Sequence, residues 1–162
     1  MDQAPTLQPE HGIDHNGIVT GRWKISIFGC FDTCVPNTIM VTFCPCVTIA
    51  QVTTRIGAYG TYLHVLLAAF FVYIWYLISC FVKASWLRSI SGILGFLMFL
   101  FLWHLRYKVR VMFRIPSTLF EDALCSLFCS CCSLAQIATH VEAYTPGECA
   151  FEARATLPGY AV

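Results

Sequence analysis

Polar and apolar positions are distributed unevenly along the chain. Residues 1–21 are polar and carry Pro5, Pro9, His11 and His15. Two long apolar runs occupy the middle, Tyr62–Val82 (YLHVLLAAFFVYIWYLISCFV) and Ile90–Leu105 (ISGILGFLMFLFLWHL), parted by a short basic stretch that contains Lys83 and Arg88. A helix needs about 20 apolar residues to cross a hydrocarbon core of about 30 Å. The first run is long enough, and His64 is its only readily ionisable group. The second reaches that length if Trp86, Leu87 and Ser89 join it and Arg88 snorkels to the interface. Tyr59, Tyr62, Trp86 and Trp103 fall near the ends, where amphipathic rings favour the headgroup region. The pattern predicts a mainly α membrane protein, a two-helix transmembrane hairpin with spans at about 61–82 and 87–105.

The flanks divide into four further segments. Residues 1–21 are expected to be a flexible tail, 22–58 a compact cysteine-containing segment, 106–144 a basic connector with a cysteine-rich helix, and 145–162 a small-residue tail; 59–105 is the hairpin. In the connector, Arg106, Lys108 and Arg110 alternate with Tyr107, Val109 and Val111, a strand pattern. Arg106, Arg110 and Arg114 also share one helical face, and a helix continuing out of the span is favoured. Arg106, Lys108, Arg110 and Arg114 are then expected at lipid-headgroup level, each attracting anionic lipid by about 1 kcal/mol. Ile115-Pro116 ends that helix, and Thr118-Leu119-Phe120-Glu121 reads as a capping box. One helix is predicted over about 119–144, with Cys125, Cys129, Cys132 and Gln136 on a common face. Beside them Phe120, Leu124, Leu127 and Leu134 form an apolar stripe, expected to lie against the bilayer or the other cysteine-bearing segment.

Composition favours the membrane reading over a buried hairpin in a soluble bundle. The chain is 57% hydrophobic and 12% charged, against a usual charged share of about 25%. Too little polar surface is present to cover such a core. Arg55, Arg106, Lys108, Arg110 and Arg114 flank the hairpin on the side of the termini, against Lys83 and Arg88 in the turn. The positive-inside bias therefore puts both termini in the cytoplasm. No secretory signal, myristoylation motif or prenylation box is read in the sequence, so the first run is expected to act as its own insertion signal. The plasma membrane is the expected location, with an organelle membrane as the alternative.

Ten cysteines add candidate chemistry. Cys30, Cys34, Cys44 and Cys46 precede the hairpin, Cys125, Cys129, Cys131 and Cys132 follow it, Cys80 lies in the first span and Cys149 near the end. With cytoplasmic termini, a disulfide framework is not expected. Three readings stay open: thiolate ligation of a soft metal, S-acylation (palmitoylation) of juxtamembrane cysteines, and burial as small hydrophobes. Cys44, Cys46, Cys129 and Cys132 are the candidate metal ligands, with zinc as the possible cofactor. The antiparallel hairpin brings His64 and His104 to similar depth, where they are candidate metal-binding residues beside Cys44 and Cys46.

These pieces resemble a known family. Phe43-Cys44-Pro45-Cys46-Val47-Thr48-Ile49-Ala50-Gln51 resembles the CPC-x4-Q signature of the placenta-specific gene 8 family, which includes cornifelin, the cell-number regulators and the plant cadmium resistance proteins. Trp23 with Cys30 and Cys34 resembles its opening. Arg106, Arg110, Asp122, Cys125, Cys129, Cys132 and Gln136 resemble its ending. Metal-handling members carry a further cysteine pair, where this chain has Thr38-Ile39, and the stretch after the second glutamine is altered to Ile137-Ala138-Thr139-His140. The resemblance implies transport or handling of divalent cations (zinc or cadmium) by an oligomer, or, from the growth-regulating relatives, a non-transporting membrane adaptor or accessory subunit of a larger membrane complex. An oligomer interface is offered by Tyr62, Ala69, Tyr73, Tyr76 and Cys80 in the first span and by Ser91 and Gly95 in the second. No nucleophile–base pair, phosphate loop or paired-carboxylate site is visible, so enzyme activity is not expected. The expected partners are the bilayer and other protein subunits, not nucleic acid.

Overall fold

The structure is a computed structural model and describes residues 12–29, 38–82, 84–145 and 147–159. A two-stranded antiparallel ribbon, β1 (Gly12–Ile13) and β2 (Val19–Thr20), is followed by six helices: α1 (Ile39–Phe43), α2 (Pro45–Arg55), α3 (Tyr62–Phe81), α4 (Ser85–Met112), α5 (Leu119–Phe128) and α6 (Ser130–His140). Both α3 and α4 are long and apolar enough to cross a membrane. No residue of α3 is buried within the chain, as suits a helix whose surroundings are hydrocarbon.

The second helix continues beyond its predicted span, as the shared face of Arg106 and Arg110 favoured. It carries on through the basic connector to Met112, so the connector is helix and not strand. At 1.5 Å per residue its 28 residues extend about 42 Å, and about its last two turns project past a hydrocarbon core of about 30 Å. Arg114 then adopts a positive φ of 53°. The Ile115 amide donates to the Arg110 carbonyl at 2.9 Å, which turns the chain before Pro116.

Downstream, the predicted capping box forms. The Glu121 amide donates to Thr118 Oγ1 at 3.2 Å, and the Thr118 amide donates to Glu121 Oε2 at 3.1 Å. The single helix expected over 119–144 does not form. The chain breaks at Cys129, and the axes of α5 and α6 differ by 117°. Burial explains the break. Turning back carries Leu134, Ala135, Ile137 and Ala138 of α6 into the core, and α5 keeps Phe120, Leu127 and Phe128 exposed. No straight helix places both faces that way.

The two short helices line the hairpin. On α2, Cys46 and Val47 meet Leu66 and Ala69 of α3. On α6, His140 packs edge-on to Phe113 at 4.9 Å, and Ser133 and Gln136 reach Arg106 of α4. The core between them includes Val52, Ile56, Leu105, Val109, Phe113 and Val141.

Two segments expected as tails are docked on this lobe where the structure describes them. Ile18, between β1 and β2, is buried, and its amide donates to Asp14 Oδ1 at 2.8 Å. Leu157 is likewise buried, and its amide donates to the Arg55 carbonyl at 2.8 Å.

Candidate functional site

The break at Cys129 has a twin. Residues 43–59 (FCPCVTIAQVTTRIGAY) align without a gap on residues 128–144 (FCSCCSLAQIATHVEAY). Phe43, Cys44, Cys46, Ala50, Gln51, Thr54, Ala58 and Tyr59 match Phe128, Cys129, Cys131, Ala135, Gln136, Thr139, Ala143 and Tyr144. The backbone repeats with the sequence. Cys44 (φ −130°, ψ 55°) parts α1 from α2, as Cys129 (φ −141°, ψ 68°) parts α5 from α6. Gly57 (φ 68°) and Glu142 (φ 52°) take the left-handed turn after each second helix. The following amides close the turns alike, Ala58 to Thr53 at 2.9 Å and Ala143 to Ala138 at 3.0 Å. Sequence reading of each motif alone missed this duplication, although sliding the chain against itself reveals it.

The matched glutamines each hold an extended segment. Gln51 Nε2 donates to the Ala150 and Glu152 carbonyls at 2.8 and 3.0 Å. Gln136 Nε2 donates to the Ile25 carbonyl at 2.8 Å, and its Oε1 accepts from Arg106 Nη1 at 2.7 Å. Arg106 belongs to a buried charge cluster. Its Nε donates to Asp122 Oδ1 at 3.1 Å, its Nη1 donates to Ser133 Oγ at 3.3 Å, and its guanidinium covers the Trp23 ring at 4.5 Å. Arg110 Nε lies 2.6 Å from Asp122 Oδ2, an ion pair without the alignment of a directed hydrogen bond. Arg110 Nη1 also donates to the Ser117 carbonyl.

This cluster corrects the headgroup assignment. Arg106 and Arg110 turn inward because the fully buried Asp122 carboxylate is there to pair with them. Lys108 instead sits 5.4 Å over the Tyr59 ring, and Arg114 is exposed. At the far end of α6, His140 is buried. Its Nδ1 accepts from the Lys24 amide at 3.2 Å, and burial, reinforced by Lys24, lowers its pKa to about 4.

The cysteines separate into different environments. Cys129 and Cys132 are joined by a disulfide, contrary to the expectation from cysteine usage. C-x-x-C spacing puts one at the N-cap of α6 and the other one turn on, which brings the sulfurs together. Cys44, Cys46, Cys80, Cys125, Cys131 and Cys149 are free; Cys30 and Cys34 lie outside the described residues. Burial, with Cys44 also raising it, pushes the Cys46 thiol pKa up. Repeat-equivalent pairs line one cavity of about 310 Å³: Pro45 with Ser130, Cys46 with Cys131, and Ile49 with Leu134. Val72, Tyr73, Gly95 and Met98 of the hairpin close its other side.

The metal-ligand set drawn from the sequence does not fit a tetrahedral zinc site. Two of its four sulfurs are bonded to each other, and such a site needs four separate donors. Among the described residues, no three histidine, cysteine, aspartate or glutamate side chains gather as metal ligands. His64 Nδ1 lies 2.5 Å from Thr61 Oγ1, and His104 packs edge-on against Tyr59 at 6.1 Å.

A family model described as the PLAC8 family matches residues 23–140. The chain belongs to the PLAC8 family. The first and last residues matched, Trp23 and His140, are in edge contact at 5.2 Å, so the family segment closes on itself around the hairpin. Gln51, Arg110, Asp122 and Gln136, which lie within the matched range, all hold the lobe together, and Cys44 and Cys129 are its two breaks. No curated protein and no solved structure matches the chain.

Proposed function

We propose that this PLAC8-family protein is a non-transporting membrane adaptor, an accessory subunit of a larger membrane complex. Its hairpin seats it in a bilayer with both termini in the cytoplasm, in the plasma membrane. The observation that carries the reading is the buried Arg106–Asp122–Arg110 cluster with Gln136. It fastens the protruding end of α4 to α5 and α6, so that a spanning helix and the lobe move as one body. Phe43, Phe120 and Phe128 remain exposed on α1 and α5, available to lipid or to a neighbouring membrane subunit. Blue-native electrophoresis of membranes solubilised in mild detergent tests this. A discrete complex of several times the subunit mass is expected; a band at the monomer mass alone would overturn it.

Handling of divalent zinc or cadmium is the second reading. It is favoured by Cys46 and Cys131, equivalent in the repeat and facing one cavity. Two thiols leave a tetrahedral ion half coordinated, so this reading needs donors from further subunits.

A further inference from the structure

We propose that Cys129–Cys132 is a redox-active disulfide that exchanges with low-molecular-weight thiols of the glutathione class. The repeat supplies an internal control. The first unit makes the same helix break at Cys44, with backbone angles close to those at Cys129, yet it has Val47 where the second unit has Cys132. No sulfur bridge is needed to build the break. The disulfide is therefore an addition to the second unit and not its structural support.

Its placement suits directed exchange. Cys129 caps α6, an eleven-residue helix whose N-terminal amides favour a thiolate. Cys129 is partly exposed, Cys132 is buried one turn inside, and Ser130 is exposed between them. Cys129 is the more exposed of the two, although it packs against the core edge, so it is the proposed point of attack for an incoming thiolate. Partial exposure between two helices suits a small thiol better than a polypeptide.

The steps balance as a two-electron exchange. A thiolate attacks Cys129 Sγ, its sulfur bonds to Cys129, and the bond to Cys132 breaks. Cys132 leaves as a thiolate and takes a proton from water. A second thiolate then attacks the thiol sulfur of the mixed disulfide and releases the small-molecule disulfide, leaving Cys129 as thiolate. Two small thiols are oxidised to one disulfide, and the protein disulfide is reduced to two thiols. The reverse, driven by oxidised glutathione, restores the bond. Disulfides that occur in reducing compartments are usually transient ones of this kind.

The test uses the full chain in nanodiscs, equilibrated in reduced and oxidised glutathione mixtures, acid-quenched and labelled with a maleimide mass tag. The wild type is expected to gain or lose two tags together as the glutathione ratio changes. Cys132→Ser should trap one glutathione on Cys129. Cys129→Ser should reduce glutathione incorporation at least tenfold, and Cys131→Ser should leave the two-tag transition in place. Cys132→Val, which installs the residue of the first unit, should keep the thermal midpoint of the wild type. The proposal is overturned if the two tags do not respond to glutathione, if Cys131→Ser abolishes the response, or if Cys132→Val fails to fold.

Discussion

His140 shows how far one residue's role departs from its local sequence. In sequence it is a polar side chain within the last turns of a predicted helix; in the fold it is wholly buried, edge-on to both Trp23 and Phe113. Its Nδ1 accepts from the Lys24 amide, which leaves the proton on Nε2, and that atom has no hydrogen-bond partner among the described residues. Burial, with Lys24 adding to it, lowers its pKa to about 4 against the smaller opposing pull of Asp14 and Glu142. Because the folded pKa is depressed, the unfolded chain binds the proton first on acidification. The stability contribution is full above about pH 6.5 and is lost as pH falls towards 4. The loss is on the order of 3 kcal/mol. Denaturation in detergent between pH 7 and 4 is expected to show it, with His140→Leu flattening this part of the profile; an unchanged slope would exclude His140 as the source. Nothing near His140 in sequence announces this burial, because it depends on Trp23 and Phe113, far away along the chain. The repeat offers no hint either, since Arg55 occupies the equivalent place.

At the level of elements, the hydrophobic runs disclosed α3 and α4, and the capping box disclosed the start of α5. The break at Cys129 escaped local reading. Helical periodicity continues through it, no proline or glycine marks it, and only packing of α6 against α4 makes the bend favourable. Its twin at Cys44 carries Pro45 at the first position of α2, where a missing amide proton costs nothing. The same packing explains the basic connector. Its helical reading was legible, but its direction was not, because Asp122 comes from another element. Asp122→Ala leaves the buried Arg106 guanidinium and the partly buried Arg110 guanidinium without a counter-charge, and removal of one partner from a buried pair costs about 3–5 kcal/mol. Thermal unfolding in detergent should fall accordingly, and Asp122→Leu combined with Arg106→Met should recover a large part of the loss. A change below about 1 kcal/mol in the single variant would show that the cluster does not hold α5 to α4.

For the whole molecule, the chain's order of segments was readable: a cysteine-bearing unit on each side of a membrane-length hairpin. What stayed hidden was that both ends contribute to one lobe, with Ile18 and Leu157 buried in it. Short polar stretches carry no periodicity to reveal docking, and backbone partners such as the Ile25 carbonyl for Gln136 leave no sequence mark. A shared helical face at Cys125, Cys129 and Cys132 exists only if the helix is straight, and the bend at Cys129 removes it. The spans themselves hold no carboxylate, and intramembrane acids commonly mark cation paths. In the proposed adaptor the hairpin anchors the lobe and conducts no metal. Zinc flux into liposomes loaded with a zinc-sensitive dye tests it most directly, using wild type and Cys46→Ser at matched protein density. Both are expected to give the rate of protein-free liposomes; wild-type flux at least tenfold above that rate, lost in Cys46→Ser, would contradict the adaptor reading.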